Sequence, residues 1–242
     1  MQKSKIFSSK LKQHGIALYV VIVFVLLSML LALWAARSSW FNELLLGNDA
    51  DYQRTFEAAQ AMLQDAEFDI RGTKADGSAC VSDASKGDVC RATTTVYFDI
   101  ETKDLEGVLS TIATQNSAVK CYKGICQKRA DPQDFWNDAS TLSGMIAANV
   151  GARYGQFTGA TTSNEILSIS DAGKGAWYWV EMLPYVDTNV ALMSGLDPNS
   201  NVERFAPARK KLMVYRITAL ARGLKPNTEV VLQSTLSVQA IE

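Results

Sequence analysis

The chain has 242 residues, and its 24 basic and 25 acidic side chains nearly balance, giving a net charge of −1. No basic stripe of the kind that follows a nucleic-acid backbone is present, so we expect no nucleic-acid partner. The single histidine, His14, lies near the N-terminus. If residues 1–15 are removed, histidine-dependent catalysis and histidine-ligated zinc are excluded. Neither a G-x-x-x-x-G-K-[ST] nor a G-x-G-x-x-G motif occurs. We therefore predict a protein that is not an enzyme and carries no cofactor or metal.

Residues 16–36 form an apolar segment without a charged side chain. As a helix these 21 residues span about 31 Å, close to the roughly 30 Å thickness of a bilayer core. Four lysines and no acidic residue precede the segment: Lys3, Lys5, Lys10 and Lys12. This positive charge favours a cytoplasmic N-terminus. We predict a single-pass inner-membrane helix with the rest of the chain on the periplasmic side.

The position of Gly15 distinguishes this segment from a secretory signal peptide, in which a small-residue cleavage site follows the apolar run. Here the small residue precedes the run. The arrangement resembles a type IV prepilin leader, with residues 1–15 as the leader and Ile16 as the first mature residue. Without the four leader lysines, 20 basic side chains face 25 acidic ones, a net charge of −5. An uncleaved membrane anchor is the alternative, and the mature N-terminus discriminates between the two.

Helical periodicity continues beyond the membrane segment to about residue 70, so residues 16–70 are predicted to form one helix. Residues 16–36 are its transmembrane part and residues 37–70 its amphipathic part. The predicted stripe of mainly apolar residues comprises Phe41, Leu44, Leu45, Asn48, Tyr52, Phe56, Ala59, Leu63, Ala66 and Ile70. Charged side chains, among them Asp51 and Asp65, lie between the members of this stripe and are assigned to the polar side.

Four cysteines fall on the predicted periplasmic side, where disulfides persist. Three pairings are possible. We favour Cys80–Cys90 and Cys121–Cys126, because each pair brackets a stretch rich in turn-forming residues. A metal site is the alternative, but neither spacing is C-x-x-C.

Residues 71–242 are predicted to form the exported globular domain. Its first part, to about residue 170, is expected to be irregular apart from a short helix at 131–139. Asp131 could cap this helix and Pro132 could occupy its first position. A continuation or a second helix is expected through residues 141–150. Three antiparallel strands are predicted at 176–183, 211–221 and 229–238, with a hairpin loop at 223–228.

The alternation of the last two predicted strands leaves one apolar sheet face for the amphipathic half of the helix. This face comprises Met213, Tyr215, Ile217, Ala219, Val230, Leu232, Leu236 and Val238. The predicted fold is therefore α+β, a long N-terminal helix packed on a C-terminal antiparallel sheet. Trp177 and Trp179 could form a ligand platform, but core packing or a partner interface is favoured. The cluster at 197–201 could bind calcium, although a plain turn is favoured.

Residues of the helix resemble, in order and spacing, the N-terminal signature of the PilX family of minor type IV pilins. They are Arg37, Glu43, Gly47, Asn48, Asp51, Arg54, Phe56, Ala58, Ala59, Ala61, Leu63, Asp65, Ala66 and Glu67. Later pieces also resemble this family: Phe135-Trp136, Tyr154-Gly155, Thr158-Gly159-Ala160, Val180-Glu181, Val214-Tyr215-Arg216-Ile217-Thr218 and Val230-Val231-Leu232-Gln233-Ser234. The resemblance covers both ends of the chain and is sparse between residues 71 and 130. It implies a pilin-like fold.

Val20 departs from the general pilin pattern. It is the fifth residue counted from Ile16, a position that is usually glutamate in major pilins. That carboxylate can pair with the N-terminal ammonium of a neighbouring subunit, and an unpaired buried charge would cost several kcal/mol. PilX proteins and their type II secretion counterpart, GspK, resemble each other in this absence, and both are taken to sit at a filament tip. Val20 is therefore interpreted as a marker of a tip position. Drift in an anchor that never polymerises is the alternative.

The resemblance implies a minor pilin that helps to initiate pilus assembly and stays near the tip with other minor pilins and a PilY-type adhesin. The major pilin, a prepilin peptidase and the inner-membrane assembly platform are further implied partners. N-methylation of Ile16 and a role in cell adhesion or twitching motility follow from the same resemblance. A GspK-like type II secretion pseudopilin and an uncleaved periplasmic scaffold are the alternatives.

Overall fold

The computed structural model describes residues 16–184 and 213–238. The leader with Gly15, the cluster at 197–201 and the first two residues of the second predicted strand lie outside this part of the chain. The chain divides into two compact units, Met1–Asp49 and Ala50–Glu242.

The N-terminal unit is described by helix α1, Ile16–Arg71, which runs on into the second unit. Its end agrees with the predicted one to within one residue. By length and composition, α1 could cross a membrane, with a mean hydropathy of 3.0 over its most apolar 18 residues. None of the buried residues of α1 precedes Asp51. The boundary at residue 36 between a transmembrane and an amphipathic part stays a prediction.

In the described part of the second unit, five strands form one sheet in chain order. The strands are β1 (Cys121–Tyr122), β2 (Ile125–Cys126), β3 (Ala176–Pro184), β4 (Met213–Arg222) and β5 (Glu229–Ser237). The three long strands pair antiparallel, as predicted. The two short strands were not predicted, because two residues are too few to show a period. Since β2 runs parallel to β3, the sheet is mixed rather than purely antiparallel. The α+β class is confirmed.

The segment between α1 and β3 is more regular than predicted. Helix α2, Leu105–Gln115, was missed although Leu105, Val108 and Ile112 follow a helical period. The predicted helix at 131–139 is wrong in its start. A 3₁₀ turn, Phe135–Asn137, follows Asp134, and α3, Ala139–Met145, begins after Asp138. The carboxylate of Asp138 accepts the Thr141 N–H at 2.7 Å, so Asp138 caps α3. A short α4, Glu165–Ser168, precedes β3.

Both faces of the sheet are covered within the second unit. One buried cluster joins α1 residues with the predicted apolar face of the strands, including Ala59, Met62, Tyr178 and Ile217. On the opposite face, Trp177 and Trp179 pack with α3 and its neighbours, and each is 1% exposed. The two tryptophans are therefore core residues, which confirms the packing interpretation over the ligand platform.

Candidate functional site

Within the second unit, α1 runs from Ala50 to Arg71. One face of this part of the helix is buried, and this face includes charged side chains. Six of the buried residues recur at steps of three and four, namely Asp51, Thr55, Ala58, Met62, Asp65 and Asp69, and Ala59, Ala66 and Ile70 are buried beside them. The sequence placed Asp51 and Asp65 on the polar side and Tyr52 in the packed stripe. The structure buries Ala59, Ala66 and Ile70 of the predicted stripe, but it also buries Asp51 and Asp65, and Tyr52 is 49% exposed. Three helix carboxylates, Asp51, Asp65 and Asp69, thus point into the domain.

Asp51 holds the hairpin between β4 and β5. Its carboxylate accepts the backbone N–H groups of Leu224 at 3.0 Å and Lys225 at 3.2 Å. Burial acts to raise the pKa of Asp51, but hydrogen bonds from the Thr228 side chain and the two amides outweigh it and lower this pKa. Gly223 lies so close that a Cβ atom there would collide with the same carboxylate. The hairpin is therefore built around an ionised aspartate.

Asp65 binds the loop that precedes α4. Its carboxylate accepts the Gly155 N–H at 2.8 Å and the Thr158 hydroxyl. Burial raises the pKa of Asp65 to about 6, and the charge of nearby Asp69 adds to this effect. The two hydrogen bonds act in the opposite direction but do not cancel the burial. Among the described residues, Asp65 is thus a buried carboxyl that binds its loop without an opposing charge of its own.

Asp69 forms a buried, two-point ion pair with Arg91. The Arg91 Nε and Nη2 atoms lie 2.9 and 2.6 Å from the two Asp69 carboxylate oxygens. The hydroxyl of Tyr178, on β3, donates to the same carboxylate at 2.7 Å. Burial opposes the charged guanidinium, but the Asp69 charge raises the pKa of Arg91, so this side chain stays cationic. Burial raises the pKa of Tyr178 well above its ordinary value, which keeps this phenol a hydrogen-bond donor.

Arg91 is also held by the groups around it. Its guanidinium lies 3.8 Å from the centre of the Phe157 ring and 4.8 Å from that of Phe98. The remaining N–H groups donate to the carbonyl oxygens of Val96 and Lys123 at 3.3 to 3.4 Å. Every donor of this buried cation thus has an acceptor, which is the condition under which a buried charge is tolerated.

The structure contains two disulfides, Cys80–Cys90 and Cys121–Cys126. The first closes the loop that ends next to Arg91, and both of its cysteines line a cavity of about 610 Å³ beside the C-terminal end of α1. The second joins β1 to β2 and is buried. No group of three or more His, Cys, Asp or Glu side chains in the described residues could hold a metal ion.

The remaining predicted site residues lie in the first unit. Ile16 is the first residue of α1 and is 74% exposed, and Val20 is 42% exposed. The proposed processing at Gly15 and methylation at Ile16 stay predictions. Asp69, Arg91 and Tyr178 were missed by sequence reasoning. The position of Asp69 one helical turn after Asp65 could have indicated that both carboxylates share a face of α1. Nothing in the sequence pattern indicated Arg91 as the partner of Asp69.

A family model described as "Type IV pilus assembly protein PilX C-term" matches residues 122–238, which include all of the long strands. Comparison with curated proteins and with solved structures gives no significant match.

Proposed function

We propose that the chain is a minor pilin with a role in pilus assembly, because its residues 122–238 match the family model of type IV pilus assembly protein PilX C-terminal domains. In this proposal its role is structural rather than catalytic. The match to the family carries the assignment, and the long apolar helix α1 supports it. In this proposal α1 anchors the protein in the inner membrane until it is assembled into the pilus.

The proposed mature protein begins at Ile16, after a prepilin peptidase has removed residues 1–15. Most apolar side chains of α1 from Ile16 to Leu46 are exposed, as expected of a surface that contacts lipid first and other subunits later. From Asp51 onward, the same helix is part of the folded domain through its three helix carboxylates. One helix can thus connect an assembly surface to a domain.

We further propose a position at or near the pilus tip, with other minor pilins and a PilY-type adhesin as partners. Support comes from Val20, which provides no carboxylate for the N-terminal ammonium of a subunit above it. A subunit at the end of a filament has no such neighbour, so this charge is not needed there.

Processing and co-assembly test the proposal together. The full chain is expressed with and without a prepilin peptidase, and its N-terminus is determined by mass spectrometry. We expect Met1 without the peptidase and N-methylated Ile16 with it. Co-purification from peptidase-positive cells should then recover other minor pilins. An intact Met1 in both strains would support the uncleaved scaffold instead. Capture of secretion pseudopilins would favour the GspK-like alternative.

A further inference from the structure

The two disulfides differ in their access to solvent. Cys121 and Cys126 are 0% and 1% exposed. Cys80 and Cys90 are half-buried and line the cavity of about 610 Å³. A thiol reagent can therefore reach the Cys80–Cys90 bond in the folded protein, whereas reaching the other bond requires the domain to open.

The Cys80–Cys90 disulfide joins a segment whose backbone conformation is unfavourable. Cys90 and the adjacent Arg91 have φ angles of 56° and 52°, in the left-handed region that side chains disfavour. Two consecutive residues in this region persist only where the surroundings hold them. The Cys80–Cys90 bond provides one restraint, and the Cys90 N–H, which donates to the Phe157 carbonyl at 2.8 Å, provides another.

This backbone stretch sets the position of Arg91. The side chain that follows Cys90 enters the domain, stacks on Phe157 and meets Asp69 of α1. Asp69 lies one turn from Asp65, and in the described part of the chain Arg91 is the cation that pairs with Asp69. If Arg91 leaves, α1 retains two buried carboxyl groups without a compensating cation, which is strongly unfavourable.

We infer that the Cys80–Cys90 bond is a thiol–disulfide exchange site that holds Arg91 on Asp69 and thereby couples oxidation to the attachment of the domain to α1. One thiolate attacks the disulfide of an oxidising partner such as glutathione disulfide and releases one thiol. The second cysteine then displaces the other thiol from the mixed disulfide. The two cysteines lose two electrons and two protons, and the partner is reduced to two thiols. This inference does not depend on the proposed pilin function.

A time course of reduction of the purified full chain in detergent by reduced glutathione tests the inference. At each time point, peptide mapping gives the fraction of each disulfide that remains, and hydrogen exchange is measured on the same sample. We expect Cys80–Cys90 to be reduced first. Exchange in residues 91–98 and 62–71 should then rise at least tenfold, while β3 stays protected. Prior reduction of Cys121–Cys126, or unchanged exchange in residues 91–98, would overturn the inference.

A second measurement separates this coupling from a general loss of stability. In Asp69→Asn the ion pair is absent, so reduction of Cys80–Cys90 should raise exchange in residues 62–71 by no more than about twofold. A tenfold rise in this variant would show that the disulfide acts independently of Arg91. If Asp69→Asn does not fold, Arg91→Lys, which loses the two-point contact, takes its place. Cys121→Ser/Cys126→Ser is the matched control and should show the same redox dependence as the native chain.

Discussion

Two regions of α1 differ in the kind of side chain that each exposes or buries. Between Ile16 and Leu46 its side chains are mostly apolar and exposed, whereas the buried face between Asp51 and Asp69 carries three carboxylates. Hydrophobicity alone would assign burial the other way round. The difference shows that a side chain of α1 is buried where the domain provides matching partners, whether that side chain is apolar or charged.

Removal of the leader is the event on which the proposed role of the exposed region depends, and Gly15→Val should block it. The peptidase must bring the residue before the cut close to its catalytic groups, where a branched side chain would obstruct it. We expect complete retention of the full-length precursor in the membrane and a loss of piliation. Gly15→Ala, with its smaller side chain, is the control, and mass spectrometry of the N-terminus is the measurement. Normal processing of Gly15→Val would refute the leader assignment.

In the buried region, the Asp69–Arg91 pair should contribute most to stability. Replacement of Arg91 by methionine leaves a buried carboxylate without its cation, so we expect a loss of about 3–5 kcal/mol in the free energy of unfolding. Denaturant unfolding of the full chain in detergent can be followed by the fluorescence of buried Trp177 and Trp179.

The pair between Glu67 and Arg71 offers a matched control on the same helix, because its side chains are 36% and 54% exposed. Glu67→Gln should change the unfolding free energy by no more than about 0.5 kcal/mol. Equal effects of the two substitutions would contradict the contrast between the buried and the exposed pair.

Asp65 should make the unfolding free energy of the domain depend on pH. Its pKa in the folded protein is about 6, above the value of 3.8 for an unperturbed aspartate, so folding favours the protonated form. The stabilisation from protonated Asp65 is complete below about pH 4 and is lost as the pH rises through about 6. The loss is about 3 kcal/mol at most. Asp65→Asn keeps an acceptor for the Gly155 N–H and cannot ionise. Between pH 4 and 8, its unfolding free energy should therefore fall less than that of the native chain. Parallel pH profiles for the two proteins would exclude this role of Asp65.

The smallest effect is expected at Val20, in the exposed region. If the protein sits at the tip, Val20→Glu should not increase the number of pili, because no subunit above presents an ammonium group to it. An unpaired carboxylate among apolar helices is unfavourable, so the change should be neutral to harmful. Val20→Ile should have no effect. Pili are counted in a strain that lacks the native copy. A higher count, or incorporation of Val20→Glu along the shaft, would contradict the tip position.

The sequence by itself determined the elements that rest on local periodicity. The helix to residue 70, the three long strands and the apolar face with Met213, Tyr215 and Ile217 could all be predicted, because apolar burial follows the helical or strand period. The short strands β1 and β2 could not be predicted, because they exist only through pairing with each other and with β3.

The tertiary structure alone decided which residues act together at the candidate site. Asp69 meets Arg91 across 22 positions and Tyr178 across 109, and Asp65 meets Gly155 across 90. A hydrophobic pattern reflects the free energy of transferring each side chain out of water, so it predicts that an aspartate is exposed. It contains no information about a distant hydrogen-bond donor that offsets this transfer free energy. The carboxylates of α1 could therefore be placed inside the domain only once the fold had brought their partners to them.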